Sequence, residues 1–265
     1  MLSRTAFPLV VSALLIGSAA ADTAYVRPST FTPEKDQTLT VEVSFSDLCC
    51  EPSYSVRTDT FAMIGPDGEA ASPDRVEVFS NTTILEHTFT AEGTTRISTG
   101  ERLGRKGEYV ELDGKYHLIN SPDAEPIEIP DGTPILSSQT ATVTDAYVTV
   151  GPADWGAIRT QVGRLAIEPL PHPNSARIGE LFAGRVTLDG APVAEQTVLL
   201  TNEAQRLRNA DGVPFQTDSD GRFDITFSEP GVHLIMVRLQ APAPQGAETD
   251  IRSYTTALTL SVPAD

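Results

Sequence analysis

Thr38-Leu39-Thr40-Val41-Glu42-Val43-Ser44-Phe45 is the stretch that decides the fold. Leu39, Val41, Val43 and Phe45 take every second place, and polar side chains fill the places between. A period of two puts the apolar set on one face of an extended chain, which predicts a half-buried strand. The alternation recurs at 60–64, 75–79, 83–89, 94–98, 109–112, 116–119 and 140–150. Gly65-Pro66-Asp67-Gly68 and Asp113-Gly114 supply turns between these runs. Further runs at 165–170, 181–188, 197–201, 213–217, 222–227, 231–239 and 253–262 follow at the strand-and-turn spacing of roughly 8–12 residues expected of an immunoglobulin-like sandwich. No window keeps a helical apolar stripe, and residues 155–165 allow a turn or two of helix at most. The chain reads as all-β, with two immunoglobulin-like β-sandwich domains at 22–155 and 156–265. A Pro-rich surface loop at 120–138 carries Pro122, Pro126, Pro130 and Pro134.

The 265 residues carry 36 acidic against 19 basic side chains, a formal net charge of −17. That balance argues against a nucleic-acid partner, whose phosphates require a Lys/Arg surface. A 40% hydrophobic content is enough for a buried core, so the acidity is not that of a disordered tail. At the N-terminus, Arg4, the apolar run Phe7 to Ile16 and Ala19-Ala20-Ala21 have the layout of an export signal at residues 1–21. The run is about half the roughly 20 residues that a membrane span needs. The expectation is cleavage between Ala21 and Asp22, with a periplasmic product that has no transmembrane segment.

The only cysteines, Cys49 and Cys50, are adjacent and fall in an oxidising compartment if the chain is exported. Four readings stay open: a soft-metal thiolate pair, a vicinal disulfide used as a redox switch, a bond to another chain, and a structural disulfide fixing the loop after the first strand. His87, His117, His172 and His233 show no metal-ligand spacing, and a packed or surface role is favoured for each. Asp218-Ser219-Asp220-Gly221 resembles the start of a calcium loop, but without flanking helices it reads as a hairpin turn. No nucleophile elbow, phosphate loop or metalloprotease motif occurs, so no catalytic residue is assigned.

A string of words in the second half carries a resemblance: Leu165-Ala166-Ile167-Glu168-Pro169-Leu170, Ile178-Gly179-Glu180, Val186-Thr187-Leu188-Asp189-Gly190, Thr217-Asp218-Ser219-Asp220-Gly221-Arg222-Phe223, and Pro230-Gly231 before Leu234-Ile235-Met236-Val237. With Tyr25-Val26-Arg27-Pro28-Ser29-Thr30-Phe31 near the start, the chain resembles the domain-of-unknown-function family numbered 4198. Members are exported bacterial proteins often labelled as periplasmic cobalt or nickel uptake components. The second half also resembles carboxypeptidase-regulatory-like modules, which implies a transthyretin-like, non-catalytic sandwich. Where the family commonly has a histidine after cleavage, this chain has Asp22, a harder and weaker donor for nickel or copper.

The resemblance implies a periplasmic, non-enzymatic binding or accessory protein working with a membrane uptake system or another envelope protein. In its metal-capturing form a transition metal ion would be held by Asp22, Cys49 and Cys50. The alternatives are a structural or protein-interaction sandwich without metal, and a periplasmic enzyme with its site between the domains.

Overall fold

The computed structural model describes residues 22–47, 49–208 and 212–264. The export-signal reading of residues 1–21 lies outside them. In chain order the first half contributes β1 (Thr23–Pro28), β2 (Gln37–Ser46), β3 (Tyr54–Ser55), β4 (Ala62–Ile64), β5 (Ala70–Ala71), β6 (Arg75–Val78), β7 (Thr83–Phe89), β8 (Gly93–Ser98), β9 (Arg102–Leu112), β10 (Lys115–Ile119) and β11 (Leu136–Val150). A short helix α1 (Gly156–Arg159) leads to β12 (Leu165–Pro169), β13 (Leu181–Leu188), β14 (Ala191–Pro192), β15 (Thr197–Asn202), α2 (Glu203–Leu207), β16 (Val213–Gln216), β17 (Arg222–Thr226), β18 (Gly231–Pro242) and β19 (Ile251–Val262). Among the described residues no helix is long and apolar enough to cross a membrane.

The strands form three sheets. A five-stranded sheet runs β1-β2-β7-β6, with β3 against β2, and a four-stranded sheet holds β12, β13, β14 and β17. Between them lies a ten-stranded sheet ordered β16-β15-β18-β19-β11-β8-β4-β5, with the β9–β10 hairpin paired to β11. Each outer sheet closes an immunoglobulin-like sandwich over its own end of the shared sheet. Leu39, Val41, Val43 and Leu85 meet Met63, Ile97, Ala146 and Val148 in the first core. Phe182, Phe223, Ile225 and Phe227 meet Val198, Ile235, Val237, Leu258 and Leu260 in the second. Removing each such side chain from water contributes about 1.5–3 kcal/mol, enough for these two cores to hold the layers together.

The Asp-Gly turns behave as their chemistry requires. Asp113 and Gly114 have φ of 51° and 74°, and Asp189 and Gly190 have 53° and 77°. Two successive left-handed residues make the tight hairpin turn that matches strand twist.

The junction is made by β11. It pairs parallel with β19, from Ser138↔Ile251 to Ala146↔Thr259, and antiparallel with β8, with Asp145↔Ser98, Tyr147↔Arg96 and Thr149↔Thr94. Ala146, Val148 and Val150 enter the first core, so alternation turns Asp145, Tyr147 and Thr149 to the opposite face. All of residues 143–150 are buried. Such burial on both sides means that something covers the polar face. The cover is the segment between the sandwiches.

Candidate functional site

The covered face of β8 and β11 is a polar seam. Thr94, fully buried on β8, faces Thr149 with their Oγ1 atoms 3.1 Å apart, and its Oγ1 lies 2.9 Å from His172 Nε2. The Asn174 N–H donates to His172 Nδ1 at 3.2 Å. Nδ1 is therefore the acceptor, which assigns the proton to Nε2 and makes the imidazole a donor to Thr94. Burial holds His172 below the ordinary histidine value. Asp154 Oδ2 accepts the Thr94 N–H at 2.8 Å, and Trp155 stands edge-on to His172 at 5.7 Å. Asn174 Nδ2 donates at 2.8 Å to the Phe31 carbonyl, which also accepts the Thr149 N–H at 3.0 Å. These bonds tie the connecting segment to the first sandwich at both its ends.

Beside them, Arg96 Nη2 meets Asp145 Oδ2 at 2.5 Å, with both side chains buried, and Nη1 donates to the Thr160 carbonyl at 2.7 Å. Burial works against the guanidinium charge, but the Asp145 carboxylate outweighs it and holds Arg96 above its ordinary value. The guanidinium sits 5.7 Å from the centre of the Tyr147 ring, and burial pushes the Tyr147 hydroxyl up to about 12. Among the described residues Arg96 Nε and Asp145 Oδ1 find no hydrogen-bond partner. Above Arg96 opens a cleft walled by Trp155, Ile158, Ile167 and Leu170, with Arg159 and Glu168 at its sides.

The cysteines form a second junction. Cys49 and Cys50 are bonded to each other and buried. They pack with Tyr25 of β1 against Leu234 and Ala257 of β18 and β19, flanked by Val232 and Met236. The loop after β2 is thereby a plug between the first sandwich and the outer face of the shared sheet. Nearby, Asp22 bonds the Asp47 carboxyl, a contact that favours one shared proton. That bond, with burial and the Asp47 charge, raises Asp22 to about 6 against the opposing pull of Arg105 and Arg238. Arg238 Nη2 also donates to Thr23 Oγ1 at 2.9 Å, and Arg27 pairs with Glu203 at 2.7 Å.

Of the proposed metal ligands, then, the two sulfurs are engaged with each other and Asp22 is engaged with a second carboxyl. Among the described residues, no three His, Cys, Asp or Glu side chains are grouped so as to hold a metal ion. A disulfide offers no thiolate, and a lone carboxyl pair lacks the soft donors that select nickel, cobalt or copper, so this donor set, as placed, does not fit such an ion.

The histidines lie apart: His87 on β7, His117 on β10, His172 in the seam, and His233 on β18, where its Nδ1 lies 3.1 Å from the Gly231 carbonyl. Asp218 Oδ1 accepts the N–H groups of Asp220 and Arg222, both at 2.9 Å, as a hairpin turn requires. The residues that sequence reasoning missed are Arg96, Asp145, Asp154 and Thr94. The available signal was a single charge inside an uncharged strand pattern, at Arg96 in Thr94-Thr95-Arg96-Ile97 and at Asp145 in Thr142-Val143-Thr144-Asp145-Ala146.

Two sandwiches sharing one sheet, sealed by a buried polar seam and a disulfide plug, define an immunoglobulin-like β-sandwich protein. The chain belongs to the family described as Domain of unknown function (DUF4198), which matches residues 19–241. No curated protein matches it. Among solved structures, it is similar to the D0-D1 domain of intimin at 11% identity and TM-score 0.22, over 89% of this chain and 97% of that one. The amphioxus IgVJ-C2 molecule matches at 14% identity and TM-score 0.21, over 88% and 99%. A tetra-tandem repeat from the extending region of a large adhesion protein matches at 11% identity and TM-score 0.25, over 92% of this chain and 50% of that one. The fold is read from the strand pairing and the cores, not from these likenesses.

Proposed function

We propose that the chain is an exported, non-catalytic binding or accessory protein that works as a rigid two-sandwich body in the periplasm, alongside a membrane uptake system or another envelope protein. One observation carries this reading. Cys49, Cys50, Thr94, Asp145, Asp154 and His172, the groups from which a site would be assembled, are engaged in joining the two sandwiches. A hydrolytic site needs a nucleophile or water held beside a base and open to substrate. Thr94 beside His172 has the residue types, but Thr94 is fully buried.

A second reading, capture of a transition metal ion as cargo, would need the Cys49–Cys50 bond opened to supply thiolates beyond the Asp22–Asp47 carboxyl pair. Native mass spectrometry of the exported chain, before and after nickel, cobalt, copper and zinc, separates the two, alongside a panel of hydrolase substrates. The expected result is a chain beginning at Asp22, its cysteines oxidised, with no retained metal and no turnover. A tightly held metal lost in Asp22→Asn or in Cys49→Ser/Cys50→Ser establishes capture. Turnover abolished by Arg96→Leu in a folded protein overturns the non-catalytic reading.

A further inference from the structure

Strand β6 is the free edge of the five-stranded sheet, hydrogen-bonded to β7 on one side only among the described residues. Its register sets Val76 opposite Leu85 and Val78 opposite Thr83. Leu85 and Thr83 are buried, so Val76 and Val78 also lie on the core-facing side of the sheet. Even so they are 41% and 47% exposed, and Phe79 just beyond them is 54% exposed. The facing sheet ends here with β5, which is only Ala70–Ala71, both exposed. The first sandwich is therefore open along this flank, and its edge offers unpaired backbone groups together with uncovered valines. An edge of this kind is a template for another strand.

We propose that β6 pairs antiparallel with β6 of a second copy of this chain, about a two-fold axis through Val76, extending the five-stranded sheet across two molecules. The register follows from the residues. Backbone groups alternate sides along a strand, and opposed side chains share a face, so the numbers of opposed residues must sum to an even value. Centring the pair on Arg75 opposes two guanidinium groups, and centring it on Glu77 opposes two carboxylates. Centring on Val78 leaves both charges without an opposite partner. Centring on Val76 sets Arg75 of each copy against Glu77 of the other and brings the two valines together, an isologous contact with favourable pairs throughout.

The side chains are already held on the same face for this. Arg75 Nε donates to its own Glu77 at 3.0 Å, and Nη1 lies 3.6 Å from Glu86. Asp74, opposite Val78 in this register, keeps its carboxylate turned back onto the Thr88 N–H at 2.7 Å. A contact limited to one strand edge falls short of the roughly 1,200–2,000 Å² of stable interfaces. The dimer is accordingly weak, with a dissociation constant on the order of 0.1 mM.

Sedimentation equilibrium of the full chain up to about 1 mM, roughly ten times that dissociation constant, tests this. The weight-average mass should climb from one copy towards two. Arg75→Glu and Glu77→Arg, each placing like charges opposite one another twice, should weaken association at least tenfold. An equal mixture of these two variants should associate again, because each then meets the opposite charge on the other. The double variant Arg75→Glu/Glu77→Arg should associate like the unmodified chain. Circular dichroism confirms that these exposed substitutions leave the fold intact. An unmodified chain that stays monomeric over the whole range overturns the proposal, including one whose β6 takes up an unrelated peptide strand. So do single variants that associate undiminished, or a mixture no better than its components.

Discussion

At the seam, Arg96 and Asp145 are buried and paired between the sandwiches. At the free flank of the first sandwich, Val76, Val78 and Phe79 stand in solvent. The two regions thus reverse the usual placement of polar and apolar side chains, and the reversal has a geometric cause. Strand β11 is flanked by β8 and β19 and covered on both faces, so even its polar side must find partners inside. Among the described residues strand β6 has one neighbour in its sheet, and even its apolar side is left outside. Burial follows a strand's position in the layers before it follows the character of its side chains.

The sharpest way to break this contrast is to orphan a seam charge. Asp145→Ala leaves Arg96 buried without its counter-ion and should cost about 3–5 kcal/mol in urea unfolding. Arg96→Met/Asp145→Leu, which removes both charges, should recover most of that loss. Next comes the disulfide plug. Cys49→Ala/Cys50→Ala opens a ring with no residue between its ends, so the unfolded chain gains little freedom. The loss, about 1–2 kcal/mol, is of packing against Leu234 and Ala257, and reduction without substitution should cost less.

A smaller effect separates the regions by pH. Burial lowers both His172 and His233, so the folded state prefers them neutral. Their contribution is complete above the unfolded value near 6.5 and is lost as pH falls through the lower folded values. The histidine contribution should therefore decline between about pH 6.5 and 5, against the Asp22 carboxyl, which adds stability as pH falls through about 6. His172→Gln should remove its share of that decline in a pH series of urea melts. At the edge, Val76→Thr should change the unfolding free energy by no more than about 0.5 kcal/mol.

The alternation at 38–45 was enough to place β2, and Leu39, Val41 and Val43 are buried as that pattern requires. The turn or two of helix allowed at 155–165 is realised as the single turn α1. Strand β9 runs from Arg102, well ahead of the alternation at 109–112, because Gly104, Arg105, Lys106 and Gly107 hide the pattern in a hairpin with few buried residues. Strand β11 begins at Leu136 and takes in the last residues of the stretch read as a Pro-rich loop, since a strand paired with both β9 and β19 can hold Ser137 and Ser138 without an apolar stripe.

The seam was hidden for a different reason. Arg96 and Asp145 are far apart in the chain, and only the register of β8 on β11 makes them neighbours, while His172 joins the seam from the connecting segment through Thr94. Local period reports which face a residue takes, and it carries no information on which distant residue lies across from it. The exposure of β6 was equally invisible, because its alternation is that of a covered strand.

The parallel ladder of β11 with β19 has a consequence for how the chain becomes a protein. On one side, Ser138 through Ala146 pair with Ile251 through Thr259, the last described strand to be synthesised. Until that strand arrives, β11 presents an open edge, and the ten-stranded sheet exists as two separate pieces. Contacts this far apart in sequence make folding slow and place the commitment late. A chain cut short before Ile251 loses the strand that joins the two halves and, with Leu258 and Leu260, part of the second core.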